Sequence, residues 1–139
     1  PVYETMKKYA NQPPRVYIGY HQEDHWALEW VGDWERVKDE HAVLGAFNRS
    51  HKPGNTLRFS FVGTELELVV RTSPQGGVLQ VSVDDDSPRE FVLHSDTAAY
   101  KVRISLARGL RYGPHHVEVV TRGEPGTYVD IDGLLVRRP

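Results

Sequence analysis

The chain has 139 residues, enough for one domain with its own hydrophobic core and too few for two. Its 19 aspartates and glutamates outnumber its 17 lysines and arginines, so a formal net charge of −2 gives no general attraction to nucleic acid or anionic lipid. The absence of cysteine excludes disulfides, thiolate zinc sites and thiol nucleophiles.

Residues 1–15 differ in pattern from the rest. Apolar and aromatic side chains in Val2–Ala10 recur near helical spacing, and Pro13 and Pro14 would end a helix. The pattern predicts an N-terminal linker or short helix, either docked on a neighbouring domain or frayed. A single domain is expected over residues 16–139.

The next segment is rich in aromatic and β-branched residues, which favour strands. The predicted strands here are Val16–Tyr20, Ala27–Val31, Trp34–Val37 and, after a charged loop at residues 38–44, Ala46–Ser50.

From Thr56 onward the chain alternates apolar and polar residues, and glycine or proline turns close each run. Residues predicted to face inward are Leu57, Phe59, Phe61, Leu66, Leu68, Val70, Leu79, Val81, Val83, Phe91, Leu93, Val102, Ile104, Leu106, Val117, Val119, Val129 and Ile131. The best helical candidate in this part, His94–Tyr100, is too short to connect parallel strands. The sequence therefore predicts an all-β fold, an antiparallel two-sheet jelly-roll sandwich with a short N-terminal extension. Uneven connections argue against a closed barrel.

Several short motifs resemble the N-terminal jelly roll of family-2 carbohydrate esterases and related galactose-binding-like modules linked to SGNH hydrolases. They are Leu28–Trp34, Gly45–Ser50, Pro53–Thr64, Gly77–Asp84, Gly113–Val120 and Tyr128–Val136, within a resemblance that covers about residues 27–138. Asp85 and Asp86 stand where that pattern usually has a Val-Asp-Gly turn.

The resemblance implies a noncatalytic carbohydrate-binding or substrate-positioning module of a larger extracytoplasmic bacterial carbohydrate-active enzyme, an esterase or a glycosidase. The expected partners are a glycan or polysaccharide and a catalytic domain of the same polypeptide, with no nucleic acid and no membrane insertion. The alternative is a structural or protein-interaction sandwich that packs on a catalytic neighbour without binding sugar.

Three tryptophans recur at every fourth position, which on one strand would place them on one face. An exposed row of this kind stacks on sugar rings, so Trp26 and Trp30 are candidate carbohydrate contacts. The competing interpretation is that tryptophans are core residues, and it is favoured for Trp34.

Polar candidates complete the predicted carbohydrate site. Asn48, Arg49 and His51 precede the Pro-Gly turn and could hydrogen-bond sugar hydroxyls. His116, on the polar side of a predicted strand, is a further candidate contact. Solvation of loop residues explains the same composition.

The resemblance also implies a structural calcium ion, because jelly rolls of this broad type bind calcium through carboxylates of the last strand and of an early strand. The candidate ligands are Asp130, Asp132 and Glu29, with Glu35 as the alternative to Glu29, and they would need further oxygen donors. The alternative is a solvated pair of aspartates on the outward face of the strand.

Motifs for catalysis are absent from the sequence. It contains no Gly-x-Ser-x-Gly, no Gly-Asp-Ser, no His-Glu-x-x-His and no phosphate-binding glycine loop. No catalytic residue is predicted, and the chain by itself is not expected to be an enzyme.

Overall fold

The computed structural model describes residues 15–43 and 45–138, which form eleven β-strands and no helix. Within these ranges there is accordingly no helix that could cross a membrane. The predicted N-terminal linker lies, except for Arg15, outside the described residues. In chain order the strands are β1 (Gly19–Gln22), β2 (Glu29–Val31), β3 (Trp34–Lys38), β4 (Ala46–Ser50), β5 (Thr56–Gly63), β6 (Glu65–Thr72), β7 (Val78–Val83), β8 (Arg89–Val92), β9 (Ala99–Ala107), β10 (Gly113–Arg122) and β11 (Val129–Arg137).

The strands form two sheets that pack face to face. The five-stranded sheet has the order β2-β5-β10-β7-β8, and the six-stranded sheet has the order β3-β4-β11-β6-β9 with β1 added beside β11. Every pairing between these strands is antiparallel. The predicted all-β, antiparallel two-sheet sandwich is confirmed.

The core lies between the sheets and consists of the alternate residues that the sequence pattern places inward. Leu57 and Phe61 of one sheet and Leu68 of the other are fully buried. Burial of side chains this large stabilises the fold by about 1.5–3 kcal/mol each. Alternation along each strand therefore decides which face of each sheet is left for solvent.

The first strand differs from its prediction because the chain changes sheets there. Val16 pairs with Phe61 of β5, whereas the pairing with β11 begins only at Gly19. Gly19 has a φ of +125°, a conformation that other residues rarely adopt, which allows the chain to redirect between the two pairings. The predicted strand Val16–Tyr20 is thus an isolated bridge followed by β1.

Strand β11 is central to the six-stranded sheet, and one of its edges is shared by two strands. β4 pairs with Val129–Ile131 and β1 pairs with Gly133–Val136, so the two strands meet end to end beside a bulge between Ile131 and Gly133. Asp130 and Asp132, predicted on the outward face of this strand, are both buried, with 1% and 3% of their surface exposed.

Candidate functional site

Three strands bring two arginines and an aspartate together on the outer face of the six-stranded sheet. Asp130 of β11 lies directly opposite Arg49 of β4 and Arg71 of β6. Arg49 donates from Nε and Nη2 to the two carboxylate oxygens at 2.6 and 3.0 Å, and Arg71 Nη1 lies 3.4 Å from Oδ2. Because both oxygens are occupied, both guanidinium groups are held in fixed positions.

Tyr128 lies over this group of charges. The guanidinium of Arg49 is 4.1 Å from the centre of the phenol ring, and Arg71 Nη1 donates to the phenol oxygen at 2.9 Å. The ring centre of His51 lies 5.8 Å from that of Tyr128, and Arg71 also lies 5.1 Å from the ring centre of Tyr100. We call Tyr128, Arg49, Arg71, His51 and Tyr100 the Tyr128 face. Asp130 lies beneath these five residues.

The electrostatics of the Tyr128 face are dominated by its two guanidinium groups. The hydrogen bond to Asp130 raises the pKa of Arg49 above its ordinary value. Burial alone would raise the pKa of Tyr128, yet the hydrogen bond from Arg71 and the charges of Arg71 and Arg49 lower it. The phenol oxygen therefore lies in a positive field.

The connection between β3 and β4 borders this face. Residues 39–43 extend across the sheet as far as β9, where the Oη of Tyr100 lies 3.3 Å from Asp39 and the ring of His41 stacks on that of Tyr100 with centres 4.6 Å apart. The backbone N–H of Val43 donates to Asp132 at 2.9 Å. Residues 39–43, which belong to the predicted loop, thus lie along one side of the Tyr128 face.

A separate polar cluster lies at the bulge of β11, where β1 and β4 meet. Four buried side-chain atoms there lack a hydrogen-bond partner among the described residues: Tyr20 Oη, Gln22 Nε2, Glu23 Oε2 and Asp132 Oδ1. Burial raises the pKa of Glu23 and of Asp132 above their ordinary values. Both carboxyl groups are therefore harder to ionise than exposed ones.

The residues predicted to bind calcium are not brought together. Asp130 is occupied by Arg49 and Arg71, and Glu29 is exposed on β2 of the other sheet. Within the described ranges, no group of three or more His, Cys, Asp or Glu residues could hold a metal ion. Since calcium takes 6 to 8 oxygen ligands, this donor set does not fit it.

The tryptophans lie in three different places and form no continuous row. Trp26 is in the turn after β1, is 76% exposed and stacks on His25 with ring centres 6.0 Å apart. Trp30 donates its indole N–H to the carbonyl of Glu23 at 2.9 Å and meets Trp34 edge to face at 4.7 Å. Both Trp30 and Trp34 pack against the core, so only Trp26 presents a free ring.

Two other predicted contacts lie away from the Tyr128 face. Asn48 is the neighbour of Arg49 on β4, so strand alternation directs its side chain to the opposite side of the sheet. His116 is exposed on the outer face of the five-stranded sheet, beside a cleft of about 290 Å³ that is also lined by Ser82 and Glu118. Of the six predicted carbohydrate contacts, the fold brings together Arg49 and His51.

Arg71, Tyr100 and Tyr128 were not among the predicted contacts. Arg71 and Tyr100 lie on β6 and β9, whose positions beside β11 depend on strand order. Tyr128 offers one local signal, because it is two residues before Asp130 and therefore on the same side of the chain.

A larger cleft, of about 730 Å³, opens between the sheets where β7 and β8 face β9. Its floor is aliphatic, including Val81 and Leu106, and Arg89 crosses it to donate to the carbonyl of Leu106. No aromatic side chain is among the described residues that line it. It offers no ring for stacking, so we favour the Tyr128 face over this cleft as the candidate site.

Comparison with known proteins gives a family match but no curated relative. The model of a family described as carbohydrate esterase 2 N-terminal matches residues 45–138. A search of curated protein sequences returns no match.

Solved structures share the fold at low sequence identity. A family two carbohydrate esterase from Cellvibrio japonicus has a TM-score of 0.67 at 17% identity, with 84% of this chain and 32% of that chain covered. A family two carbohydrate esterase from Clostridium thermocellum, in complex with cellohexaose, has a TM-score of 0.60 at 22% identity, with 81% of this chain and 33% of that chain covered. A family 35 carbohydrate binding module from Clostridium thermocellum has a TM-score of 0.57 at 17% identity, with 84% and 96% covered. The chain spans about a third of the length of the two esterases.

Proposed function

The chain belongs to the carbohydrate esterase 2 N-terminal family, and from this membership we propose that it is a noncatalytic glycan-binding module. It positions polysaccharide for a catalytic domain of the same polypeptide. Because such polymers lie outside the cytoplasm, its place of action is extracytoplasmic.

The construction of the Tyr128 face is the structural observation that supports this proposal. Its phenol ring is held against Arg49 and Arg71, which are themselves fixed by Asp130. An aromatic ring packs against the apolar C–H face of a sugar, and adjacent fixed donors hydrogen-bond its hydroxyls. Such a site is shallow, so we expect dissociation constants of roughly micromolar to millimolar.

Two further residues extend the proposed contact surface. His51, whose ring lies beside Tyr128, is 55% exposed and so accessible to a bound chain. Trp26 supplies a second exposed ring, in the turn after β1. Trp30 has a packing role, since its indole N–H is occupied and its ring lies against Trp34.

One observation favours the alternative, a domain that only packs on its catalytic neighbour. Tyr17 and Ile18 are 57% and 52% exposed, and the carbonyl of Tyr17 contacts His21, whose ring meets that of His25 beside Trp26. Exposed apolar side chains that lie close together are typical of a protein-binding surface. In that case Trp26 would be covered by protein rather than by sugar.

Calorimetric titration with a panel of oligosaccharides, cellohexaose first, distinguishes the two functions. Tyr128→Ala is expected to weaken binding about tenfold, since ring stacking and its adjacent donors are worth about 1.4 kcal/mol. Tyr112→Ala is the matched control, because Tyr112 is a partly exposed tyrosine at the other end of the sandwich.

Binding by no glycan would support the packing role and contradict the proposal. Equal weakening by Tyr128→Ala and Tyr112→Ala would remove the Tyr128 face as the site. Hydrolysis of acetylated sugars by the chain alone would contradict the noncatalytic assignment.

A further inference from the structure

The Tyr128 face carries more positive than negative charge. Arg49 and Arg71 share a single carboxylate, that of Asp130. Burial alone would lower the pKa of Arg71, but its hydrogen bond to Tyr128 raises it, so the group stays ionised. Arg49, Arg71 and Asp130 together therefore carry a net charge of about +1 at neutral pH.

Hydrogen-bonding capacity is also left over at this position. Arg49 uses Nε and Nη2 for Asp130, and no contact within the described residues uses its Nη1. The side chain is 21% exposed, so a ligand on the surface can reach it. A guanidinium N–H forms hydrogen bonds to carboxylates that are about twice as strong as those to neutral groups.

The carboxylates at the border of this face already have their own partners. Glu35 lies 3.6 Å from His51, and Asp39 accepts from the backbone N–H of His41 at 2.8 Å and contacts Tyr100. Asp130 is 1% exposed and covered by the two arginines. The carboxylate that contacts the two guanidinium groups is therefore covered, whereas Glu35, opposite Arg49 on β3, is the exposed carboxylate at the border.

We propose that the Tyr128 face is selective for acidic glycans, those whose sugar rings carry a carboxylate. The ring of the uronic acid stacks on Tyr128 while its carboxylate takes the free edge of Arg49. The planar, two-pronged shape of a carboxylate matches a guanidinium edge, which favours it over a tetrahedral sulfate. This inference rests on the glycan-binding function proposed above and adds the chemical class of the sugar.

The test compares matched ligands that differ in one group. Oligogalacturonate, oligomannuronate and glucuronate-substituted xylo-oligosaccharide are each titrated into the chain beside their carboxyl-reduced, uncharged forms. At least one acidic form is expected to bind about tenfold more tightly than its reduced counterpart, a difference of about 1.4 kcal/mol. Raising the salt from about 0.1 M to about 1 M, which shortens the Debye length from about 10 Å to about 3 Å, should reduce that preference.

Variants locate the preference on the protein. Arg49→Gln is expected to abolish most of the tenfold difference, and Arg49→Lys, which keeps the charge without the planar fork, to retain part of it. Arg58→Gln is the matched control, because Arg58 is an exposed arginine paired with Glu118 on the opposite sheet. Circular dichroism and thermal melting establish that each variant is folded before it is titrated.

Each outcome has a defined meaning. If reduced and acidic forms bind equally well, or if sulfated oligosaccharides bind more tightly than uronates, the acidic selectivity is wrong while glycan binding stands. If neutral glycans alone bind, the selectivity is likewise contradicted. If no glycan of either kind binds, both the selectivity and the proposed function are contradicted.

Discussion

Asp130 is the residue on which the candidate site depends, because its carboxylate fixes the two arginines that hold Tyr128. Burying a charge costs its hydration free energy. A salt bridge offsets this cost only when its geometry is good and its remaining hydrogen bonds are satisfied. A network of this kind contributes little net stability, but loss of its central member leaves two guanidinium groups without a counter-charge.

We expect Asp130→Asn to lower the free energy of unfolding by about 3 kcal/mol, the usual cost of breaking a buried ion pair. Urea denaturation followed by tryptophan fluorescence measures this change. Asp33→Asn is the matched control, since Asp33 pairs with Lys52 at an exposed position and should cost at most about 0.5 kcal/mol. Equal costs for the two variants would contradict the central role of Asp130.

His115 is held by an acceptor at each ring nitrogen. Nδ1 lies 2.5 Å from Asp84 and Nε2 lies 2.7 Å from the carbonyl of Arg111, while the ring also lies 5.3 Å from that of Phe61. Burial alone would lower the pKa of His115, but these two acceptors raise it above its ordinary value. Asp84 also accepts from the backbone N–H of His116, and its pKa is lowered. An imidazole donates to both acceptors only when it is protonated.

The pH dependence of the contact between His115 and Asp84 follows from the directions of their two pKa shifts. Because the folded-state pKa of His115 is raised, its contribution to folding stability is complete below the unfolded-state pKa of about 6.5. That contribution is lost as the pH rises through the folded-state pKa. The contribution of Asp84, whose pKa is lowered, is present above about pH 3.9 and lost as the pH falls through its folded value. A double-mutant cycle of His115→Gln and Asp84→Asn by urea denaturation should therefore give a larger coupling at about pH 5.5 than at about pH 8.5. A coupling that is constant or grows with pH would show that His115 is not a cation in this contact.

At the scale of elements, β11 determines how the six-stranded sheet is built. Two strands lie end to end along one of its edges, and the bulge at Asp132 and Gly133 accommodates their junction. A Cβ atom on Gly133 would collide with the carbonyl oxygen of His21 and the hydroxyl of Tyr20. Gly133 is therefore required for the close approach of β1.

We expect Gly133→Ala to cost about 3 kcal/mol of stability, at the upper end of overpacking effects, because backbone rather than a flexible side chain blocks the new methyl group. Gly109→Ala serves for comparison. Gly109 has a φ of +64° and open space around it, so only backbone strain of about 1 kcal/mol applies. Thermal unfolding gives the stability of each variant, and amide exchange of β1 shows whether that strand has been displaced. Similar costs for both variants, with β1 still protected, would contradict this account.

At the scale of the whole molecule, the two sheets separate residues that are close in the chain. Trp30 is on β2 of the five-stranded sheet, Trp34 is on β3 of the six-stranded sheet, and Trp26 is in the turn before both. Candidate contacts consequently lie on different surfaces, with His116 on one sheet and Arg49 on the other. The module thus has two distinct outer faces, of which the six-stranded one holds fixed aromatic and guanidinium groups.

The alternation of apolar and polar residues predicted the fold well, because each strand of a two-layer sandwich buries one face. Leu57, Phe59 and Phe61 illustrate this, since every second residue of β5 is buried as predicted. The pattern failed at β11, where Val129–Leu134 is buried without interruption. A polar residue read as solvent-facing can be buried when a neighbouring segment, here residues 39–43, covers the outer face.

By itself the sequence determined the class of fold, the antiparallel pairing and the inward residues, because strand periodicity and turn residues are local properties. Only the tertiary structure decided which polar residues meet. Arg49, Arg71 and Asp130 come from strands far apart in the chain, and their contact depends on strand order and register, which non-local packing sets. That non-local register converts dispersed polar residues into the candidate glycan-binding face.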